Sequence, residues 1–125
     1  EMGLSVFAEM HDLAETRSDC HAWSSSPLSE FLATVAGIRP ADIGFKSVII
    51  EPHPGSLKWI KAGLPHHLGV IEADLQFDKN GKVKGSIVLP EGLKGIFVWD
   101  KQTVDLKGGE NKVAIGPINA KYLSE

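Results

Sequence analysis

Two neighbouring stretches of alternating side chains constrain the fold of this chain most. Residues 70–77, VIEADLQF, place an apolar side chain at every second position, and residues 83–89 continue the alternation. The positions expected to face inward are Ile71, Ala73, Leu75, Phe77, Val83, Gly85, Ile87 and Leu89. A period of two is typical of strands with one buried face, and Asn80-Gly81 supplies the positive φ angles of a tight turn. The pattern predicts an antiparallel hairpin in a sheet with one wet face.

Five further short segments after residue 44 have strand-like composition and are separated by glycine, proline or charged turns. They are FKSVIIEP, LKWIKAGL, GIFVWD, QTVDLK and NKVAIG. About seven short strands at regular spacing favour an antiparallel sandwich. The sequence therefore predicts a mainly β fold, an antiparallel β-sandwich of about seven to eight strands preceded by one amphipathic helix.

The helix is predicted in SPLSEFLATVAG, ahead of the strands. Its apolar residues follow the spacing i, i+3, i+4 and i+7 and are Leu28, Phe31, Leu32 and Val35. Ser26 suits the N-cap, Pro27 the first turn and Gly37 a left-handed stop. Glycine and proline cluster in GIRPADIGF, so we place a domain boundary there and divide the chain into residues 1–40 and 41–125.

The composition narrows the classes of function. Thirteen Lys and Arg against sixteen Asp and Glu give a net charge of −3, too balanced for an electrostatic track along nucleic acid. No segment has the apolar length of a membrane span. A single cysteine forms no internal disulfide and no thiolate zinc site. We therefore expect no nucleic-acid partner, no membrane partner, no metal and no cofactor.

The stretch RSDCHAWSSSP contains several residues whose side chains could take part in catalysis or ligand binding. Cys20 and His21 are sequence neighbours whose side chains point apart on an extended chain, so a cysteine nucleophile with a histidine base is disfavoured and Cys20 is expected to be a small buried residue. The sequence supports two interpretations of Trp23 equally: that it stacks on a sugar ring, or that it packs under the neighbouring helix. We expect Trp59 and Trp99 to pack in the core or at the edge of the sandwich, and His66 and His67 to be exposed in a turn.

An ordered series of short motifs resembles the C-terminal end of bacterial α-L-rhamnosidases. It runs from GLSVFAE through TRSDCHAWSSSP and EFLATVAGIRP to GFKSVIIEPHPGSLKWIKAGLPHHLGVIEAD, covering about residues 3 to 76. The resemblance implies that residues 1–40 are the last loop and helix of a truncated (α/α)6 catalytic barrel and that residues 41–125 are the C-terminal β-sandwich. The start EMGLSVFAEM, which does not read as a signal peptide, agrees with such a fragment.

The resemblance also implies an activity, the removal of terminal α-L-rhamnose with inversion. Glu9 in FAE resembles the family's general base, and His21 in CHAW resembles a histidine beside the bound rhamnose. Trp23 is carried over as a further substrate-binding residue, whereas Ala8 stands where many relatives have tryptophan. The general acid comes from an earlier barrel segment, so the isolated chain is expected to be inactive, and its partners are the rest of the barrel and a rhamnose-containing glycoside.

Two other functions stay open at this point. A carbohydrate-binding module would need Trp59, Trp99 and Phe97 to point outward from a sheet face. A structural module would cover an apolar face of the barrel and could form a homo-oligomer. The sequence is compatible with both a cytoplasmic and an exported bacterial protein.

Overall fold

The structure is a computed structural model that describes residues 7–10, 12, 14–15, 17–18 and 20–117. The chain divides into two compact units, Glu1–Phe31 and Leu32–Glu125. Among the described residues, no helix is long and apolar enough to cross a membrane.

The helical segment is continuous but changes its winding. A 3-10 turn, Ala22–Ser25, leads into helix α1, Ser26–Glu30, and a π-helical turn, Phe31–Val35, follows. Pro27 lies in the first turn as predicted. The predicted N-cap is wrong by one residue, because the preceding 3-10 turn makes Ser25 the cap of α1 and Ser26 its first residue.

Within the described residues, eight strands form two four-stranded sheets. They are β1 (Ile38–Pro40), β2 (Ser47–Ile50), β3 (Trp59–His66), β4 (Gly69–Phe77), β5 (Val83–Leu89), β6 (Lys94–Trp99), β7 (Gln102–Leu106) and β8 (Gly109–Ile115). The strand order is β1-β2-β6-β7 in the first sheet and β3-β4-β5-β8 in the second. Every pairing is antiparallel except that of β2 with β6. The predicted sandwich is confirmed, with one parallel pair.

The β4–β5 hairpin follows the predicted alternation. Ile71, Ala73 and Leu75 are fully buried, and the residues between them are exposed. The prediction for the turn is partly wrong, because Gly81 has φ +75° but Asn80 is not among the described residues with positive φ. The connection is five residues long, and the Asp78 carboxylate closes it by accepting hydrogen bonds from the backbone N–H groups of residues 80 and 82, each at 2.8 Å.

Inward-facing side chains of both sheets form one hydrophobic core. Its largest fully buried members are Phe97, Ile50, Ile71, Leu75, Ile87, Leu89 and Leu93. Val35, at the end of the helical segment, packs against this core, and Gly37 then takes the predicted left-handed conformation with φ +72°. Leu28 and Phe31, on the same predicted helical face, are exposed.

Candidate functional site

Backbone hydrogen bonds bring the first described residues alongside the loop that precedes the helix. The N–H of Glu9 donates to the carbonyl of Ser18 at 3.0 Å, and the N–H of His21 donates to the carbonyl of Phe7 at 2.6 Å. The two residues assigned to catalysis and sugar binding are therefore on adjacent backbone segments.

Arg17 holds the Glu9 carboxylate on both oxygens. Its Nε donates to Oε2 at 3.1 Å, its backbone N–H donates to the same oxygen at 3.3 Å, and its Nη2 forms an ion pair with Oε1. The Glu9 side chain is only 15% exposed, whereas that of Arg17 is 84% exposed. Sequence reasoning missed Arg17, because a residue eight positions away in a loop has no periodic relation to Glu9.

The pKa of Glu9 is lowered from its ordinary value of 4.5. The largest cause is the side-chain hydrogen bond from Arg17, and the charges of Arg17 and His21 act in the same direction against the effect of partial burial. Glu9 is therefore a carboxylate at neutral and mildly acidic pH. In that state it can accept a proton from water but cannot donate one.

His21 and Trp23 form an edge-on aromatic pair. Their ring centroids are 6.1 Å apart and their planes meet at 73°. Trp23 is 84% exposed and therefore does not pack under the helix. Cys20, predicted to be buried, is exposed, because it lies at a bend where its backbone exchanges hydrogen bonds with the Ser18 hydroxyl.

The sandwich decides one prediction about an aromatic residue and corrects one about a histidine. Trp59 is 65% exposed on the edge strand β3, so of the two expected positions the core is excluded, since the adjacent Ile60 takes the inward position. His66 is not an exposed turn residue, because its Nε2 lies 2.8 Å from the carbonyl oxygen of Phe45 and the two rings pack edge to face. Of the aromatics required for a carbohydrate-binding face, Phe97 is fully buried.

Trp99 is partly buried, as predicted. Its indole Nε1 donates to the carbonyl of Gly81 at 2.8 Å, and its ring lies 5.2 Å from that of Phe77. Trp59 is therefore the most exposed of the three aromatics. The alternation of KWIKAGL already contained this signal, because an inward Ile60 requires an outward Trp59.

Trp59 forms a wall of a groove in the sandwich, which we call the Trp59 groove. Its volume is about 890 Å³, and its lining residues in strands and turns of the second sheet include Lys58, Trp59, Gln76, Phe77, Lys82 and Lys84. Asp78 also lines it, and the pKa of Asp78 is lowered, first by the hydrogen bond from the backbone N–H of Lys82. In the part of the chain that the structure describes, no group of three or more metal-ligating side chains is present.

The family model described as the bacterial alpha-L-rhamnosidase C-terminal domain matches residues 37–114. Glu9, His21 and Trp23 lie before the matched range, whereas the Trp59 groove lies almost entirely within it. No curated protein matches the chain.

Three solved structures share the fold. An α-L-rhamnosidase from Dictyoglumus thermophilum has a TM-score of 0.65 at 22% identity, over 77% of this chain and 14% of that one. A native α-L-rhamnosidase from Aspergillus terreus has a TM-score of 0.68 at 19% identity, over 80% and 12%. One from Streptomyces avermitilis, complexed with L-rhamnose, has a TM-score of 0.65 at 18% identity, over 78% and 12%. The chain thus corresponds to a small part of each of these proteins.

Proposed function

Because the chain belongs to the family of bacterial α-L-rhamnosidase C-terminal domains, we propose that it is the C-terminal portion of a glycoside hydrolase that removes terminal α-L-rhamnose with inversion. Residues 1–40 would complete the catalytic barrel of the parent enzyme, and residues 41–125 would form its terminal sandwich. The observation that carries the proposal is the family match over residues 37–114.

Glu9 is proposed as the general base of the parent. Inversion requires a carboxylate that takes a proton from water as the water oxygen bonds to the anomeric carbon. The glycosidic bond breaks on the opposite face, and a carboxylic acid about 6.5–9.5 Å away protonates the departing oxygen. The lowered pKa of Glu9 supports the base role, since a group that is ionised at neutral pH cannot be the proton donor.

His21 and Trp23 are proposed to bind the rhamnose ring. An imidazole can donate or accept a hydrogen bond with a sugar hydroxyl, and an exposed indole offers an apolar face to the C–H groups of a pyranose. Their edge-on contact at 6.1 Å supports a joint role, because one ring orients the other.

The sandwich is proposed to be non-catalytic and to contact the remainder of the barrel. Ile43 is 96% exposed at the tip of a 3-10 turn, and the half-exposed Leu68 and Val70 lie in the nearby β3–β4 hairpin. The hydrogen bond and ring contact between Phe45 and His66 join this turn to that hairpin. Apolar side chains displayed on an ordered surface are typical of an interface.

The catalytic proposal is tested by Glu9→Gln in the parent enzyme. Glutamine keeps the size of the side chain but cannot take a proton from water, so we expect kcat on an aryl α-L-rhamnoside to fall by about 10²–10⁴-fold, with KM nearly unchanged. Release of the aryl alcohol measures the rate.

Glu15→Gln is the matched control. Glu15 is an exposed glutamate of the same unit, and its substitution should leave turnover unchanged. Wild-type turnover by the Glu9→Gln enzyme would exclude Glu9 as the base. NMR of the product formed first, before mutarotation, checks the inversion.

A further inference from the structure

We propose that the Trp59 groove is a second saccharide-binding site, remote from the proposed catalytic residues in sequence, and that its ligand is an acidic oligosaccharide. The choice of a saccharide rests on the proposed function of the parent enzyme. The choice of an acidic one rests on the charges of the groove.

The register of the paired strands places Trp59, the aromatic wall of the groove, on the outer face of the sheet. Trp59 pairs with Gln76, Gln76 with Lys84 and Lys84 with Ala114, so these four side chains form one row across the outer face of the second sheet. All four residues are exposed. An exposed indole beside an amide offers a stacking surface and hydrogen-bonding groups together, which is the combination that a sugar ring requires.

The groove is cationic, although the chain as a whole is anionic. Lys58, Lys82 and Lys84 line it against a single carboxylate, Asp78, so its formal charge is 3 − 1 = +2, whereas the chain has a net charge of −3. The Asp78 carboxylate is engaged by two backbone N–H groups of its own turn. The lysine ammonium groups therefore dominate the field that a ligand meets, and a carboxylate on the ligand complements it.

A second depression extends the groove across the sheet. Its volume is about 400 Å³, and it shares Gln76 and Lys84 with the Trp59 groove. Its other lining residues are Asp74, Gly85, Ser86, Glu110 and Lys112. The formal charge over both depressions is therefore 4 − 3 = +1, and the cationic part is the Trp59 groove itself. A Cβ at Gly85 would lie 2.0 Å from the carbonyl oxygen of Asp74, so no side chain can occupy that position without moving the backbone.

The combined surface is long enough for an oligosaccharide. Four strands spaced by about 4.8 Å give a row about 14 Å long from Trp59 to Ala114. A single sugar ring would contact only the tryptophan end of this surface. The site thus fits a chain of several sugars that carries a carboxylate near the lysines.

The test is calorimetric titration of the 125-residue chain with a short oligosaccharide of alternating rhamnose and hexuronic acid. We expect one binding site and weaker binding as salt is raised, because exposed charges are screened. The same oligosaccharide with its carboxylates reduced to alcohols should bind at least about fivefold more weakly, because it loses its attraction to the lysines.

Variants locate the site. Trp59→Ala should weaken binding about tenfold through loss of the stacking surface, and Lys82→Ala with Lys84→Ala should remove most of the salt dependence. Val104→Ala and Lys46→Ala replace exposed residues outside the groove and should leave the affinity unchanged. Circular dichroism of each variant checks that it is folded.

Four results would overturn the proposal. The first is that the carboxyl-reduced oligosaccharide binds as tightly as the acidic one, and the second is that inorganic phosphate competes for the site as well as the acidic oligosaccharide does. The third is that a folded Trp59→Ala variant keeps full affinity. The fourth is that the isolated chain binds the oligosaccharide but the parent enzyme does not bind it at this site. The last would mean that other parts of the parent cover the groove. Turnover of an aryl α-L-rhamnoside by the parent is measured separately, so inactivity of the parent would count against the proposed function and not against this site.

Discussion

At the scale of single residues, the chemistry of Glu9 depends on Arg17. Three contacts from Arg17 reach the Glu9 carboxylate, and the carboxylate is largely covered although its partner is exposed. A general base must be ionised at the operating pH, and a neighbouring guanidinium favours that form. Arg17 therefore favours the ionised form of Glu9, which is the form that the proposed base role requires.

Arg17→Ala in the parent enzyme should raise the pKa of Glu9 towards its ordinary value of 4.5. The acidic limb of kcat/KM against pH reports ionisation of the base in the free enzyme, so it should move to higher pH. The sign follows because the ion pair favours the carboxylate above that ordinary pKa, and its contribution is lost as pH falls through the lowered pKa.

Arg39→Ala is the control for this prediction. Arg39 also pairs with a glutamate, at 2.6 Å from Glu51, but in the sandwich unit. Its removal should leave the acidic limb unchanged. An acidic limb that stays in place in the Arg17→Ala enzyme would show that Arg17 does not set the pKa of the catalytic base.

At the scale of elements, Gly37 joins the helical segment to strand β1. Its φ of +72° turns the chain, and its carbonyl accepts a hydrogen bond from the N–H of Glu51 at 3.0 Å. A Cβ on Gly37 would lie 1.9 Å from the carbonyl oxygen of Glu51. The position therefore requires glycine for two separate reasons, its backbone angle and its close approach to the backbone of Glu51.

Comparing Gly37→Ala with Gly44→Ala separates the two reasons. Gly44 has nearly the same φ, +74°, but nothing lies within 4 Å of a Cβ built there. We expect Gly44→Ala to lower the free energy of unfolding by about 1–2 kcal/mol through backbone strain alone. Gly37→Ala should lower it by more than about 3 kcal/mol, because the Glu51 backbone must also move.

Urea unfolding followed by circular dichroism measures both glycine variants. Equal losses in the free energy of unfolding would mean that the Glu51 backbone moves away from an alanine at position 37 at no cost in stability. A loss at Gly44 as large as that expected for Gly37 would contradict the open space around it.

At the scale of the whole molecule, this chain corresponds to 12–14% of the length of the solved enzymes that share its fold. Its family match and its hydrophobic core both lie in the second unit, Leu32–Glu125. The proposed catalytic residues lie in the first unit, Glu1–Phe31. The hydrophobic core and the proposed catalytic residues are thus in different units.

We expect the isolated 125-residue chain to release no aryl alcohol from an aryl α-L-rhamnoside, whereas the parent enzyme does so. The reason is that the resemblance places the proton donor of an inverting pair in another segment of the parent. Turnover by the short chain that is lost on Glu9→Gln would contradict this expectation.

The sequence determined the local features of this protein. Side-chain periodicity is a property of neighbouring residues, so the alternation in residues 70–77 and 83–89 predicted the strands and their buried faces, and the ordered motifs identified the family. The short strand β1 was missed, because three residues are too few to show a period.

Tertiary structure alone decided which distant segments meet. The parallel pairing of β2 with β6 joins residues more than forty positions apart, and the Trp59 groove depends on the register of four strands. The ion pair between Arg17 and Glu9 likewise depends on the conformation of the loop that joins them, and the sequence of this loop has no periodic pattern. Such contacts arise from the packing and hydrogen bonding of the folded chain, so they cannot be predicted from the pattern of neighbouring residues in the sequence.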